Sequence, residues 1–584
     1  MVASELMNGA VMVIRALKDQ DVNVVFGYPG GAVLPLYDEL FKQSDIRHIL
    51  VRHEQGAIHA AQGYARSTGK VGVVLVTSGP GVTNVVTGLQ DAIMDSTPIV
   101  CISGQVATFL MGTDAFQEAD ATGITRPCTK YSWLVKDVNQ LAIRMHQAFY
   151  IAKAGRPGPV LIDIPKDVQI ENGKYVSPDA VPRSTYQPIT EPEQDAVQKS
   201  LVMMQRAEKP ILYTGGGVLN SGNRAVTLLR NFVEQTGFPV TSTLMGLGAV
   251  PASDSRFLGM LGMHGTYEAN LAMHGADLII SVGARFDDRI TGQLDTFAPQ
   301  AKIIHMDINP ASINKNVRAD VALVGDCAKI LEALVQSWDA MAQKRKKGSQ
   351  SIDDWWSTIN NWRAKDCLSF QDSKTVIKPQ KAIDCLYEHT KNRDVYITTE
   401  VGQHQMWTAQ RYCFEEPYRC ITSGGLGTMG FGVPAAVGVQ VAHPDSLVID
   451  IAGEASFLMT MQEVLTAVQF RLPIKIFILN NQRLGMVRQW QQLIYGERYS
   501  SSYSESLPDF VKLADALGCH GIRCSDPAML DDAIEEMINI DCPVIFDCVV
   551  EKHENCYPMI PVGKSHNEMV LSDDGCGSYE DIDV

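Results

Sequence analysis

Two junctions in the last third of the chain put oxygen donors where apolar runs give way to helix-like patterns. In "VIDIAGEASFLMT" (448–460) the apolar run stops at Ala452 and a Gly-Glu-Ala-Ser turn follows. In "IKIFILNNQRLGMV" (474–487) a second run ends at Asn480 and Asn481. Ligands collect at the carboxyl ends of strands in parallel α/β sheets, and backbone N–H groups at a helix start suit a phosphate. A carboxylate there repels phosphate unless a divalent cation lies between them. Mg²⁺ takes one or two protein oxygens and completes its shell with phosphate oxygens. Glu454 and the amide oxygen of Asn481 meet that need. The alternative is a first-turn Glu that complements the helix dipole and binds nothing.

Glu54 is the second telling carboxylate. It follows "HILVRH" and precedes "QGAIHAAQGYAR", whose Gly56, Ala57, Ala60, Ala61 and Ala65 allow close packing. It reads either as a proton-exchange group or as an ordinary first-turn Glu. "YTGGGV" (213–218) is a phosphate-type loop after a strand, without G-x-G-x-x-G spacing. "GARFDDR" (283–289) sets Arg285 and Arg289 at another strand end, as anion ligands or as surface ion pairs. Asp307 closes "KIIHMD", where a ribose-binding acid sits in such folds.

These groups need a frame of strand ends, and the sequence supplies one. Short runs rich in Val and Ile alternate with helix-like stretches, which is the pattern of parallel sheets covered on both faces. The expected fold class is α/β, with three doubly wound parallel-sheet domains over residues 1–172, 190–345 and 375–550, and a C-terminal tail over 551–584. Pro-rich "QIENGKYVSPDAVPRSTYQPITEPEQ" and charged "MAQKRKKGSQS" mark the boundaries, and the acidic ending "SDDGCGSYEDIDV" reads as mobile. The first and third blocks share one order: a small-residue helix, a polar turn, a strand and a Gly loop. They read as two copies of one nucleotide-type fold.

A length of 584 residues fits about three domains, and 45% hydrophobic with 20% charged residues is ordinary for a soluble globular protein. The net charge of −16 argues against nucleic acid or an anionic membrane as the main partner. The 13 Cys show no C-x-x-C spacing, so zinc is not expected and reduced thiols in a cytoplasmic protein are. No apolar run reaches the roughly 18 residues of a spanning helix. The amino-terminal stretch reads as an amphipathic helix of the first domain, not as a signal peptide.

Several segments together resemble the catalytic subunits of the acetohydroxyacid synthase (acetolactate synthase) family of thiamine-diphosphate enzymes. They include "VFGYPGGAVLPLYDEL", "VRHEQGAIHAAQGYARSTGKVGVVLVTSGPG", "GTDAFQEAD", "VGARFDDRITG", "EVGQHQMW", "SGGLGTMGFG" and "ILNNQRLGMVRQWQ". The likeness runs from about residue 5 to 560, and "RFDDR" with "MVRQWQ" separates this family from its thiamine-diphosphate relatives.

The resemblance implies pyrimidine-binding, central FAD-binding and diphosphate-binding domains. It also implies thiamine diphosphate, Mg²⁺ and FAD as cofactors, with each thiamine site shared between two chains of a homodimer or homotetramer. The implied reaction decarboxylates pyruvate and passes the remaining two-carbon unit to a second 2-oxo acid, pyruvate or 2-oxobutyrate, in branched-chain amino acid biosynthesis. A small regulatory subunit is implied as well.

By the same resemblance, Glu454, Asn481 and the carbonyl of Arg483 hold the metal, with Glu where the family usually has Asp. Glu54 contacts the aminopyrimidine, and Gln117 joins it as a catalytic residue. Pro29, Gly30, Val401, Gly402, Gln403, His404, Gly427, Met429, Gly453, Ala455, Ser456, Gly485 and Met486 match the remaining thiamine-diphosphate positions, with Met429 as an apolar wedge. Arg156, Gly215, Gly216, Gly217, Thr243, Leu244, Gly262, Met263, His264, Gly283, Arg285, Asp287, Asp307, Ile308 and Asp326 match the FAD positions. Arg289 would hold the second acid's carboxylate and Trp490 would shape its pocket, with Phe116 and Lys166 as walls.

A pyruvate oxidase or decarboxylase of the same fold is one rival, against which "RFDDR" and Trp490 speak. A non-catalytic paralogue is the other, against which Glu54, Met429 and Arg289 speak.

Overall fold

The computed structural model describes residues 5–182, 184–342 and 350–573. Within them the chain builds three six-stranded sheets in which every strand pair is parallel. β-Branched side chains suit strands covered on both faces. Gly72–Val76, Ile99–Gln105 and Pro159–Pro165 are accordingly buried along their whole length.

With strands counted in chain order inside each sheet, the first (24–165) and third (395–549) sheets share the order 2-1-3-4-6-5. The faint sequence likeness of those two blocks is thus a likeness of topology. The middle sheet (210–324) has the order 3-2-1-4-5-6, the arrangement of dinucleotide-binding folds. A crevice forms outside the carboxyl ends of the two strands that flank an order reversal. Those pairs are Val24–Gly27 with Gly72–Val76, Pro210–Thr214 with Leu278–Val282, and Val395–Thr399 with Leu447–Ala452.

The first and third units pack into one core. Helix Glu54–Thr68 crosses helix Gly432–Ala442 at backbone contact. A methyl group on Gly438 would lie 1.8 Å from the Ala60 carbonyl oxygen, and one on Gly63 would lie 2.2 Å from that of Ala435. The small-residue run that follows Glu54 therefore serves a helix crossing that joins two units of one chain.

The amino-terminal helix spans Gly9–Asp19, and Asn8 caps it by accepting from Val11 N at 2.9 Å. The Pro-rich boundary carries the strand Asn172–Lys174, which pairs antiparallel with Leu6–Asn8. The charged boundary at 341–351 falls mostly outside the described residues. Helix Gln350–Arg363 follows it and docks on the middle unit, where Trp355 donates to Pro210 O at 3.1 Å. Residues 551–573 run back over that unit: Ile560 N donates to Met263 O (2.8 Å), and buried His566 donates to Ile290 O (2.7 Å). The acidic ending lies outside the described residues beyond Asp573. No helix among the described residues is long and apolar enough to cross a membrane.

Candidate functional site

The strand Leu447–Ala452 ends, Gly453 caps, and helix Glu454–Thr460 begins. The neighbouring strand Val395–Thr399 leads into Val401–His404, and Lys475–Asn480 leads into Asn481. These loops enclose a cavity lined by Val401, Gly402, Gln403, His404, Met429, Gly453, Glu454, Ala455, Ser456, Asn481, Arg483, Gly485 and Met486. Of the residues that the resemblance assigns to thiamine diphosphate and the metal, those of the third unit line this one cavity, except Gly427, which stands two positions before Met429.

Glu454 is 1% exposed, and its Oε1 has no hydrogen-bond partner among the described residues. Burial pushes the carboxyl up to about 7, against the opposite pull of backbone N–H groups at Glu454, Arg483 and Asn481. A buried oxygen in that state needs a proton or a cation, so the donor set fits a divalent metal. Asn481 Oδ1 already accepts from Arg483 N (3.0 Å), which fixes the amide's direction. Among the described residues no group of three His, Cys, Asp or Glu converges as a metal site. One carboxylate and one amide, completed by phosphate oxygens, is a different donor pattern and the one Mg²⁺ commonly uses. Gln403 is committed to the protein: it donates to Gln489 Oε1 (2.8 Å) and Glu554 O (3.1 Å), and it accepts from Asn481 Nδ2 (3.4 Å). Its amide positions Asn481. Buried His404 keeps a partnerless Nε2, and burial pushes its ring down to about 3.

Glu54 does not line this cavity. It opens helix Glu54–Thr68 at the carboxyl end of the first sheet, where Asn84 Nδ2 donates to its Oε2 at 2.9 Å. Gly30 packs on Thr77, and the backbone of Gln117 packs on Gly79. Pro29, Gly30, Glu54 and Gln117 therefore gather at one end of the first unit, apart from the diphosphate cavity. Around that end Tyr28, Leu34, Phe109 and Phe116 present apolar surface, Phe116 at 88% exposure. Lys166 opens the short helix Lys166–Ile170 after the sixth strand.

Sequence reasoning missed Glu463. It sits 1% exposed on helix Glu463–Phe470 and accepts from Arg52 N and His53 N, each at 3.0 Å. A third-unit carboxylate thus fixes the turn that delivers Glu54. The partners lie about 410 residues apart, and no local pattern announces the pair. Burial pushes Glu463 up to about 7. The folded chain then holds this proton more tightly than the unfolded chain. Stability therefore falls as pH rises from the ordinary Glu range to about 7, and levels off above it. Glu463→Gln is expected to remove that slope and gain roughly 1–3 kcal/mol on wild type between pH 4.5 and 8. Melting curves of both proteins across that range check it, and a Tm difference independent of pH would refute it.

The middle unit holds a cavity of about 230 Å³ at its order reversal. Arg156, Gly216, Gly217, Thr243, Gly283, Arg285, Asp287, Asp307, Ile308 and Asp326 line it. The two loops cross tightly: a Cβ on Gly217 would lie 2.7 Å from Gly283 Cα, and Gly283 has φ +60°. Two guanidiniums and the buried, partnerless Thr243 Oγ1 face a space that suits a dinucleotide. Asp326 is already bound by Ser221 Oγ, at 2.9 and 2.8 Å. Gly215, Leu244 and Gly262–His264 lie outside the lining. Met263 joins Asp288, Arg289, Gly292 and Ile560–Gly563 around a smaller pocket, and His264 contacts Pro558 O at 3.2 Å. Arg289 is 63% exposed there, with Asp288 3.8 Å away. Trp490 is half-buried on helix Gly485–Leu493, one turn beyond Met486.

Comparison with known proteins agrees with this division. Residues 7–124 match the N-terminal TPP-binding domain of thiamine pyrophosphate enzymes, 197–334 the central domain, and 400–548 the C-terminal TPP-binding domain. The acetolactate synthase large subunit of Haemophilus influenzae is 48% identical over 569 residues, 97% of this chain and 98% of that one. The acetolactate synthase isozyme 3 large subunit of Escherichia coli is 48% identical over 574 residues, 97% and 99% of the two chains. Acetolactate synthase of Mycobacterium bovis is 47% identical over 574 residues, 97% and 92%.

Proposed function

Because the chain belongs to the acetolactate synthase large-subunit family of thiamine pyrophosphate enzymes, we propose that it catalyses that reaction with the residues described above. Two molecules of pyruvate give 2-acetolactate and CO₂, and pyruvate with 2-oxobutyrate gives 2-aceto-2-hydroxybutyrate and CO₂. The observation that carries the reading is Glu454: a buried carboxylate oxygen without a partner, in a strand-end cavity shared with Asn481.

Thiamine diphosphate, when bound, supplies the electron sink for decarboxylation. Glu454, Asn481 and the Arg483 carbonyl would hold Mg²⁺, which would offset the charge of the diphosphate. Met429 supports the ring system from the cavity wall. Glu54 would hold and return a proton at the aminopyrimidine, from the turn that Glu463 fixes. Arg289 takes the carboxylate of the second acid, since a guanidinium is a two-pronged donor to carboxylate oxygens. Arg156, Arg285 and Thr243 would hold FAD in the middle-unit cavity, for a net reaction that is not redox.

Glu54 lies outside the cavity that Glu454 lines in one chain, so the reading pairs each with its counterpart in a second copy, as a homodimer or homotetramer. The large-subunit relatives support a smaller companion chain as a further partner.

Incubation of the purified chain with pyruvate tests the reading, with thiamine diphosphate, Mg²⁺ and FAD each present or withheld. Acetolactate is the expected product. Acetaldehyde, acetate or acetyl phosphate as the main product would support a decarboxylase or oxidase instead. Trp490→Leu is expected to shift the choice between pyruvate and 2-oxobutyrate by about tenfold, since one methylene in a pocket carries about 1–3 kcal/mol. Competition between the two acids measures it, and an unchanged product ratio removes Trp490 from the acceptor site.

A further inference from the structure

Five of the ten residues of "SGGLGTMGFG" (423–432) are glycine, and the run carries Met429 into the diphosphate cavity. Three carboxylates hold it. On the leading side Asp91 accepts from Ser423 Oγ and from Thr428 Oγ1 (2.9 Å). Asp95 accepts from the backbone N–H groups of Gly424 (2.8 Å) and Gly425 (2.7 Å). On the trailing side Glu400 accepts from Gly430 N (2.6 Å), Gly432 N (3.0 Å) and Val433 N (3.3 Å). Asp91 and Glu400 are 0% exposed, and so is the side chain of Asp95.

The two aspartates come from the helix Val86–Met94 region of the first unit, and Glu400 follows the strand Val395–Thr399 of the third. Met429 therefore hangs between two anchors that belong to different units. Each anchor meets the loop through donors only. At Asp95 and Glu400 both oxygens accept backbone N–H bonds, so a carboxamide there turns one acceptor into an N–H₂ group facing another N–H donor, which pushes the loop away.

We propose that Asp91, Asp95 and Glu400 are positioning residues for the thiamine site, holding the 423–433 run so that Met429 stands against the bound cofactor. The inference rests on the reading of Met429 as a cofactor contact.

The full-length chain loaded with thiamine diphosphate, Mg²⁺ and FAD tests it. Asp95→Asn and Glu400→Gln are each expected to lower kcat about 10- to 100-fold, because a displacement near 1 Å at a reacting centre has that effect. KM for pyruvate should move less than about threefold, as expected when a transition-state interaction is lost. Hydrogen–deuterium exchange over 423–433 should rise while the middle unit stays unchanged. A double-mutant cycle with Met429→Ala then separates positioning from plain stability. Glu400→Gln should add little to Met429→Ala, because both act on one contact. If Glu400→Gln does not fold, Thr428→Val removes a single loop donor and enters the same cycle.

Wild-type kcat and wild-type exchange in the variants would overturn the inference, and so would effects that multiply independently with that of Met429→Ala. Failure of the wild-type chain to bind thiamine diphosphate would overturn the functional reading and this inference with it. Variants that match a cofactor-binding wild type overturn the inference alone.

Discussion

Glu54→Gln is expected to lower acetolactate formation by about 10²-fold or more while leaving the fold intact, the scale of effect for a positioned proton-transfer group. The carboxylate stands at the start of helix Glu54–Thr68, held from below by Glu463 through Arg52 N and His53 N. Gln keeps the shape and can still accept from Asn84 Nδ2, which donates to the carboxylate at 2.9 Å. What it cannot do is give and take a proton at neutral pH. The loss should therefore appear in turnover and not in the melting temperature. Initial rates at saturating pyruvate and cofactors, beside a melting curve, check both halves. A Gln variant with near wild-type acetolactate formation would return Glu54 to the role of an ordinary first-turn residue.

Glu454→Ala is expected to abolish activation by Mg²⁺, with thiamine-diphosphate binding lost at any practical metal concentration. The carboxylate is buried, one oxygen has no partner, and Asn481 stands in the same cavity wall. Without a cation that arrangement is unfavourable, so the chain bears a local cost that metal binding relieves. Glu454→Asp keeps charge and donor type, shortens the arm by one methylene, and is expected to bind Mg²⁺ more tightly than wild type, since Mg²⁺ tolerates little deviation from octahedral geometry. Cofactor titrations of chelator-treated protein across Mg²⁺ concentrations decide the matter. If the Ala variant activates at the wild-type Mg²⁺ concentration, Glu454 serves only the helix start.

Local patterns revealed the strand ends, because apolar runs that stop at Gly, Asn or an acid mark the places where a parallel sheet opens to ligand. Glu454, Asn481, Gly217 and Asp307 were legible for that reason. The equality of strand order in the first and third sheets was only faintly visible, since topology leaves little trace in side-chain identity. The carboxylates that hold the site in place left no trace at all. Glu463 acts on residues about 410 positions away, and Asp91 acts on Ser423 across 332 positions. Nothing in the composition around them separates a buried anchor from a surface acid. Gln403 was named through the resemblance and lines the diphosphate cavity, but no local pattern announced that its amide also ties Asn481 to Gln489 and Glu554.

Glu54 stands outside the cavity that Glu454 lines, so the shared site is the proposal that complementation measures most directly. Glu54→Gln and Glu454→Ala chains, each inactive alone, are co-expressed with different tags and the mixed assembly is isolated. If each site takes Glu54 from one copy and Glu454 from the other, one site of a mixed pair is wild type in both positions. The mixed dimer should then recover about half of wild-type activity per dimer, as two-fold symmetry requires. If both residues of a site belonged to one chain, every site in the mixed dimer would carry a lesion. Activity no higher than that of either variant alone would contradict the account.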